Sequence, residues 1–313
     1  MVCASLESLA VKRHDGSCLA PKKSYHKTMK RSFPLFFLVF AFLAVFYFAG
    51  EDTALPARIL RVSDGKIISR EQLLEDLRRV SLVFVGEAHT DEFHHLLELD
   101  IIEMLHGVDQ SMAVGLEMFS APNQKILNEW SDGRLGKEQF IRTYYEDWGF
   151  PWPLYRDIFL YLREHRIPAI ALNLPRVISE KVAASGFDSL TRGERAQIPP
   201  GISCSVDERY MDFIRRAYQA HGMSGKTFVH FCEAQILWDK TMAWHLVSYL
   251  KDNSKRTVVV LSGTGHAWKR GIPEQVQAFS DSLTYRVILP EIPDRVDTAK
   301  ITIKDADYLL LRE

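Results

Sequence analysis

Five times along this chain a short apolar run stops abruptly. Ser81-Leu-Val-Phe-Val85 halts at Gly86, just before Glu87 and His89. Ser111–Phe119 carries Glu117 near its end, and Pro168-Ala-Ile-Ala-Leu-Asn173 ends on an amide. Thr257-Val-Val-Val-Leu-Ser-Gly-Thr-Gly-His266 is closed by glycines and a histidine, and Tyr285-Arg-Val-Ile-Leu289 is the fifth run. Continuous apolar runs of this length read as strands buried on both faces. Between them the apolar period lengthens. After Glu92 come Leu96, Leu97, Leu99, Ile101, Ile102, Met104 and Leu105, the stripe of an amphipathic helix. Strands alternating with helices predict an α/β fold: one domain with a mostly parallel β-sheet flanked by helices on both faces.

That domain is expected to span residues 58–313. It opens with Arg58–Ser63, the pair Asp64-Gly65 and Lys66–Ser69, read as two strands joined by a two-residue hairpin. Ser69-x-x-Gln72 is a capping box in front of a helix striped by Leu73, Leu74 and Leu77. Residues 121–165 read as helical and aromatic-rich, and 185–205 as a loop. Two further helices are expected over about 206–221 and 230–251.

Residues 1–57 have a different composition. Residues 1–32 hold seven Lys or Arg against two acids, and residues 33–50 are apolar and uncharged. A basic arm, an apolar stretch and then Glu51-Asp52 predict a signal peptide or membrane anchor, and so an exported protein, periplasmic or held to the membrane. Met29-Lys-Arg31 reads as an alternative start of that signal. The remaining body is mildly acidic, with 32 basic and 38 acidic side chains. That balance excludes a nucleic-acid binder, which needs a basic footprint. Cys204 and Cys232 are the cysteines of the body, and the sequence leaves open whether they pair.

In an open α/β sheet ligands bind at the carboxyl ends of the strands. Glu87, His89, Glu117, Asn173 and His266 all fall there. Two carboxylates and two imidazoles on one edge suit a divalent metal, whose usual protein ligands they are. They equally suit general acid–base work. Each alone also fits a helix cap or an ion-pair partner. His94 and His95 open the next helix about 100° apart, so at most one is expected to face a pocket. The two-histidine helix of a metalloprotease, a nucleophile elbow and a phosphate-binding glycine loop are all absent. The run Tyr144, Tyr145, Trp148, Phe150, Trp152, Tyr155 reads first as core. Pro151 and Pro153 break the helix within it, so some rings are expected on a loop, where they suit a flat aromatic ligand. A tyrosine phenolate is also a known ligand of haem iron.

Five ordered blocks carry a resemblance over about residues 58–290. They are Val85-Gly-Glu-Ala-His89 with His94-His95, Gly115-Leu-Glu-Met-Phe119, Ala171–Arg176, Ala234–Ala243, and Gly263-Thr-Gly-His266 with Gly271-Ile-Pro273. Together they resemble the ChaN-like haem-binding uptake family, grouped with the Tiki, TraB and erythromycin-esterase proteins. The resemblance implies an α/β fold and a role in haem or iron acquisition. In the haem-binding members it implies a dimer holding stacked haems, with a tyrosine on the iron and polar contacts to the propionates. On that basis Tyr155 is the first expectation for the iron ligand and Tyr144 the second, with His89 or His94 near a propionate. No cysteine closely follows the apolar segment, a departure from the lipoprotein members. The alternative reading is a metal-dependent hydrolase in which Glu87, His89, Glu117 and His266 hold an ion that activates water.

Overall fold

A computed structural model describes residues 57–109, 111–218 and 224–312. The expected N-terminal arm and apolar segment lie outside the described residues. Asp52–Glu313 form one compact unit. Its strands are β1 (Ala57–Arg61), β2 (Lys66–Ile68), β3 (Leu82–Glu87), β4 (Ala113–Ser120), β5 (Ala169–Asn173), β6 (Val258–Gly263), β7 (Tyr285–Pro290) and β8 (Tyr308–Arg312). The helices are α1 (Arg70–Leu77), α2 (Glu92–His106), α3 (Gln124–Ser131), α4 (Lys137–Asp147), α5 (Trp152–Glu164), α6 (Arg176–Ser185), α7 (Arg192–Arg195), α8 (Glu208–Ala217), α9 (Gly225–Asp252), α10 (Thr264–Ala267) and α11 (Ile272–Phe279). One eight-stranded sheet runs β2-β1-β8-β7-β3-β6-β4-β5. β3 to β8 pair in parallel; β1 is antiparallel to both β8 and β2. The α/β fold and mostly parallel sheet are as the sequence predicts.

Strand periodicity sorts the core into two layers. Leu82 and Phe84 of β3, with Val258 and Val260 of β6, pack in the layer that holds α6, α8, α9 and α11 residues. Val83 and Val85, with Val259 and Leu261, pack in the layer of α1 to α5. β3 and β6 are buried along their whole lengths, so they need apolar residues on both sides, which is why they read as unbroken runs.

Several local features differ from expectation. Arg61 pairs with Lys66, so the first hairpin has a four-residue loop rather than two. The Gly65 N–H closes it on the Arg61 carbonyl, with Gly65 at a φ of 69°, open to a residue without Cβ. The capping box at Ser69 and Gln72 forms in full. The stretch expected as a loop at 185–205 holds a 3-10 turn at Phe187–Ser189 and the short α7. β8 was not read as a strand from the sequence; it lies between β7 and β1. Cys204 and Cys232 are buried free thiols. No helix of the described residues is long and apolar enough to cross a membrane.

β8 is tied to α1 by a polar knot. Asp76 accepts hydrogen bonds from Arg286 at 2.6 and 2.8 Å and from the Tyr308 hydroxyl at 2.5 Å. Burial pushes the Asp76 carboxyl up, but these donors outweigh it and hold it below its ordinary value. A depressed carboxyl stabilises the fold above its unfolded value of about 3.9 and loses that contribution as pH falls through the folded value. Asp76→Ala should therefore cost about 1–2 kcal/mol at neutral pH, modest because the ion pair is partly solvated. Urea melts of both proteins at pH 7 and pH 3 check this: the difference should shrink at the lower pH, and an equal difference at both would refute it.

Candidate functional site

The carboxyl ends of β3, β4, β5 and β6 open into a cavity of about 780 Å³. That volume is in the range of small-molecule and cofactor sites. β3 has β7 on one side and β6 on the other, although β4 follows it in the chain. This reversal of strand order is the crevice where open sheets bind ligands. Glu87, His89, Glu117 and His266 all line the cavity, as does Asn173.

Glu87 ends the central strand with a carboxylate that is 1 % exposed. Its Oε1 accepts the Tyr155 hydroxyl at 2.8 Å and faces His89 Nδ1 at 2.8 Å. Its Oε2 lies in an ion-pair contact with His95 Nε2. Burial alone would raise this carboxyl. His89 and His95 reverse that and hold it below the usual carboxylate range. Burial likewise works against charge on His89, and Glu87 and Glu117 overcome it, so this imidazole is raised. The ring is clamped edge-on against Trp148, with centroids 5.0 Å apart, and tilted against Phe150 at 4.7 Å. It also covers Gly263, where a Cβ would come within 2.8 Å of it.

Glu117 is aimed by an irregularity. The β4–β5 register shifts between Leu116 and Ser120, and such a bulge redirects a side chain. Its Oε2 accepts the Gly263 N–H at 2.7 Å, while Asn173 donates to the Glu117 carbonyl at 3.0 Å. His266 stands on α10, just past β6. Its Nδ1 meets Asp239 Oδ1 at 2.6 Å, and its Nε2 lies 3.8 Å from Glu117 Oε1. Asp239 also accepts the Tyr210 hydroxyl at 2.9 Å. Burial opposes charge on His266, but Glu117 and Asp239 outweigh it and raise the imidazole. Burial raises the Asp239 carboxyl too. The short contact between the two buried groups fixes the ring, with Nδ1 on Asp239 and Nε2 toward Glu117.

The remaining wall is apolar and aromatic. Trp148 and Phe150 lie on the segment between α4 and α5, the proline-broken stretch expected to leave rings on a loop. Trp238, Met118 and Leu174 complete it. Tyr218, at the C-cap of α8, also lines the cavity, and its buried hydroxyl has no hydrogen-bond partner among the described residues. Its ring packs so close to Gly265 that a Cβ there would meet it at 2.3 Å. Arg295 lines the cavity as well, with a buried Nε that lacks a partner among the described residues.

Three expected ligand residues stand elsewhere. Tyr155 lies in the core layer behind Glu87, bonded to it. Tyr144 donates to the Phe150 carbonyl at 2.9 Å, and burial raises its phenol. His94 accepts the Ala88 N–H on Nδ1 at 2.9 Å and holds the turn after β3. None of the three lines the cavity. The quartet expected to hold an ion shares one wall without converging. Among the described residues, the set of three ligand-type groups whose donor atoms lie within 4.8 Å of one another is Glu87, His95 and Glu98.

Sequence reasoning missed Asp239, Glu98, Tyr218 and Arg295 as site residues. Two of them left a signal. Asp239 shares the buried face of α9 with Gln235, Ile236, Met242 and Ala243, and Glu98 lies among Leu97, Ile101 and Ile102. An acid within an apolar stripe is the informative departure. Tyr218 leaves none, because it follows Phe213, Ile214 and Ala217 and reads as core.

A family model described as haem-binding uptake, Tiki superfamily, ChaN matches residues 73–276. No curated protein matches the sequence significantly. Among solved structures, ChaN of Campylobacter jejuni, described as binding haem cofacially, is 21% identical with a TM-score of 0.66, over 82% of this chain and 97% of that one. At that identity the likeness is one of fold. An erythromycin esterase mutant in its open conformation is 13% identical (TM-score 0.46, 81% of this chain and 82% of that one). A succinoglycan biosynthesis protein is 11% identical (TM-score 0.49, 82% and 94%).

The Asp239–His266 pair makes a direct prediction. Asp239→Asn removes one of the two charges that raise His266, so its imidazole should titrate lower. Histidine side-chain NMR over a pH series reads this. An unchanged midpoint would mean that Asp239 does not hold charge on the ring.

Proposed function

This chain belongs to the haem-binding uptake family of the Tiki superfamily, ChaN, and on that premise we propose that it binds haem in the cavity at the strand ends and serves haem or iron acquisition. The observation that carries the reading is the Tyr218 hydroxyl, a buried oxygen without a partner on a ring that lines the cavity. Leaving such a group unpaired is costly, so it calls for a ligand. Tyrosine oxygen is an established ligand of haem iron. Tyr155 and Tyr144 already spend their hydroxyls on Glu87 and Phe150, so an iron at either would first have to break a buried hydrogen bond.

The other donors fit the same group. Arg295 and Arg176 line the cavity, where guanidinium groups recognise carboxylates such as propionates. Trp148, Phe150 and Trp238 offer flat apolar surface for a macrocycle and exclude water from it. Burial raises the Tyr218 phenol well above its ordinary value, so it keeps its proton until a cation replaces it. Tyr218 would hold bound haem through its phenol oxygen, an anionic ligand that would favour ferric iron. His89, packed against Trp148 and Phe150, lines the cavity with an imidazole for a propionate.

Export and assembly belong to the same reading. We take residues 33–50 to direct the chain across a membrane, as a cleaved signal or an anchor, with the body acting as a dimer on the exported side. The support is the order of basic arm, apolar stretch and acidic turn. Cell fractionation with N-terminal sequencing should find an exported body; a cytosolic protein that keeps Met1 would contradict it. The metal-dependent hydrolase has no comparable support, since its four residues do not gather about one point.

Haemin titration followed at the Soret band tests the central reading. Wild type should saturate at about one haem per chain, and Tyr218→Phe should change the spectrum and weaken binding at least about tenfold. Tyr155→Phe and Tyr144→Phe should keep the wild-type band. No saturable change in wild type would end the haem reading. A band altered by Tyr155→Phe and untouched by Tyr218→Phe would keep haem and move its ligand.

A further inference from the structure

Glu87, at the cavity wall, also faces two buried groups of the interior, His95 and Glu98, that haem binding does not use. We propose that Glu87, His95 and Glu98 form a site for one divalent transition-metal ion. Each supplies one donor atom, and the three atoms lie within 4.8 Å of one another. The residues are 1 %, 3 % and 0 % exposed. The proposal does not rest on the haem reading, and of the cavity quartet it shares Glu87 alone.

Chain geometry explains the juxtaposition. His95 and Glu98 are three residues apart on α2, so they share a face and project together. Asp91 caps that helix by accepting the Phe93 N–H at 3.1 Å, which sets its first turn immediately after β3. Glu87 ends β3 and points back at the same face. Its two oxygens are divided. Oε1 is held by Tyr155 and His89, each at 2.8 Å. Oε2 is left to face His95 Nε2. Outer hydrogen bonds that orient a ligating carboxylate are a regular part of metal sites.

Glu98 supplies the second, independent observation. Both its carboxyl oxygens are buried and neither has a hydrogen-bond partner among the described residues. It stands next to another carboxylate, where two anions repel and only a cation or a proton reconciles them. An imidazole nitrogen with two carboxylate oxygens is a borderline-hard set that suits Zn²⁺ or Mn²⁺. Donors about 2.0–2.2 Å from an ion stand at most about 4.4 Å apart, so side-chain adjustments of under about an ångström close this set. Two carboxylates and one dication are also neutral together, which removes the charge from a dry interior.

The test uses the full chain, stripped with EDTA and then dialysed separately against Zn²⁺ and Mn²⁺. Bound metal is read by elemental analysis and the thermal midpoint by circular dichroism. Wild type should hold about one ion per chain and melt several degrees higher with it. Glu98→Gln keeps the volume and removes a ligand; it should bind at least about tenfold more weakly and lose the thermal response. If Glu98→Gln does not fold, His95→Gln takes its place with the same expectation. Glu117→Gln should keep the ion. Wild type that takes up neither metal and shows no shift would overturn the site in favour of a proton held between Glu87 and Glu98. Glu98→Gln that binds like wild type would also overturn it, as would loss of the ion in Glu117→Gln, which would move it into the cavity. Haemin binding is a separate optical readout, so failure of either assignment is recognised without the other.

Discussion

The burial of the Glu87 carboxylate at the end of β3 constrains everything built around it. A carboxylate that is 1 % exposed is tolerable only with donors or positive charge on every side. The fold brings them from three separate places: His89 from the turn after the strand, His95 from α2 and Tyr155 from α5. One polar atom pair therefore fixes how two helices and a loop meet the central strand. The aromatic rings of α4 and α5 follow from this, since Tyr155 is held in turn by Tyr144 and Trp148.

The cavity has a polar floor and an apolar wall because two kinds of segment meet there. Strand ends supply the floor, since a parallel sheet points all its carboxyl termini the same way. The wall comes from the short stretch between α4 and α5 and from α8 and α9, which bury their apolar faces and leave Trp148, Phe150, Tyr218 and Trp238 lining the cavity. Two glycines let these meet closely. His89 rests on Gly263, and Tyr218 on Gly265. The Gly-Thr-Gly-His segment is thus a packing surface for one ring from each side, besides being the carrier of His266.

Much of this was legible in the sequence, and the reason is physical. A fully buried parallel strand must be apolar throughout, so β3, β4, β5, β6 and β7 stand out. The polar residues that end them can only lie on one edge, so Glu87, Glu117, Asn173 and His266 were placed together from spacing alone. β8 escaped because Tyr308-Leu-Leu-Leu-Arg312 is a short run that follows a polar stretch with no helical stripe. The tyrosines were harder. Tyr155 and Tyr218 each sit in aromatic or apolar surroundings, and what separates them is whether the hydroxyl finds a partner after folding. One meets Glu87 and the other meets nothing. That difference depends on residues distant in sequence, so no local pattern carries it.

The division of labour within Glu87 decides whether the two sides of the wall act together. Its Oε1 is bonded to His89, a cavity residue, and its Oε2 faces His95 and Glu98 in the interior. Glu87 and Glu117 raise the His89 imidazole against its burial, and the ring is clamped against Trp148 and Phe150. The cavity and the interior behind it are therefore joined through a single carboxylate, whose two oxygens face opposite sides.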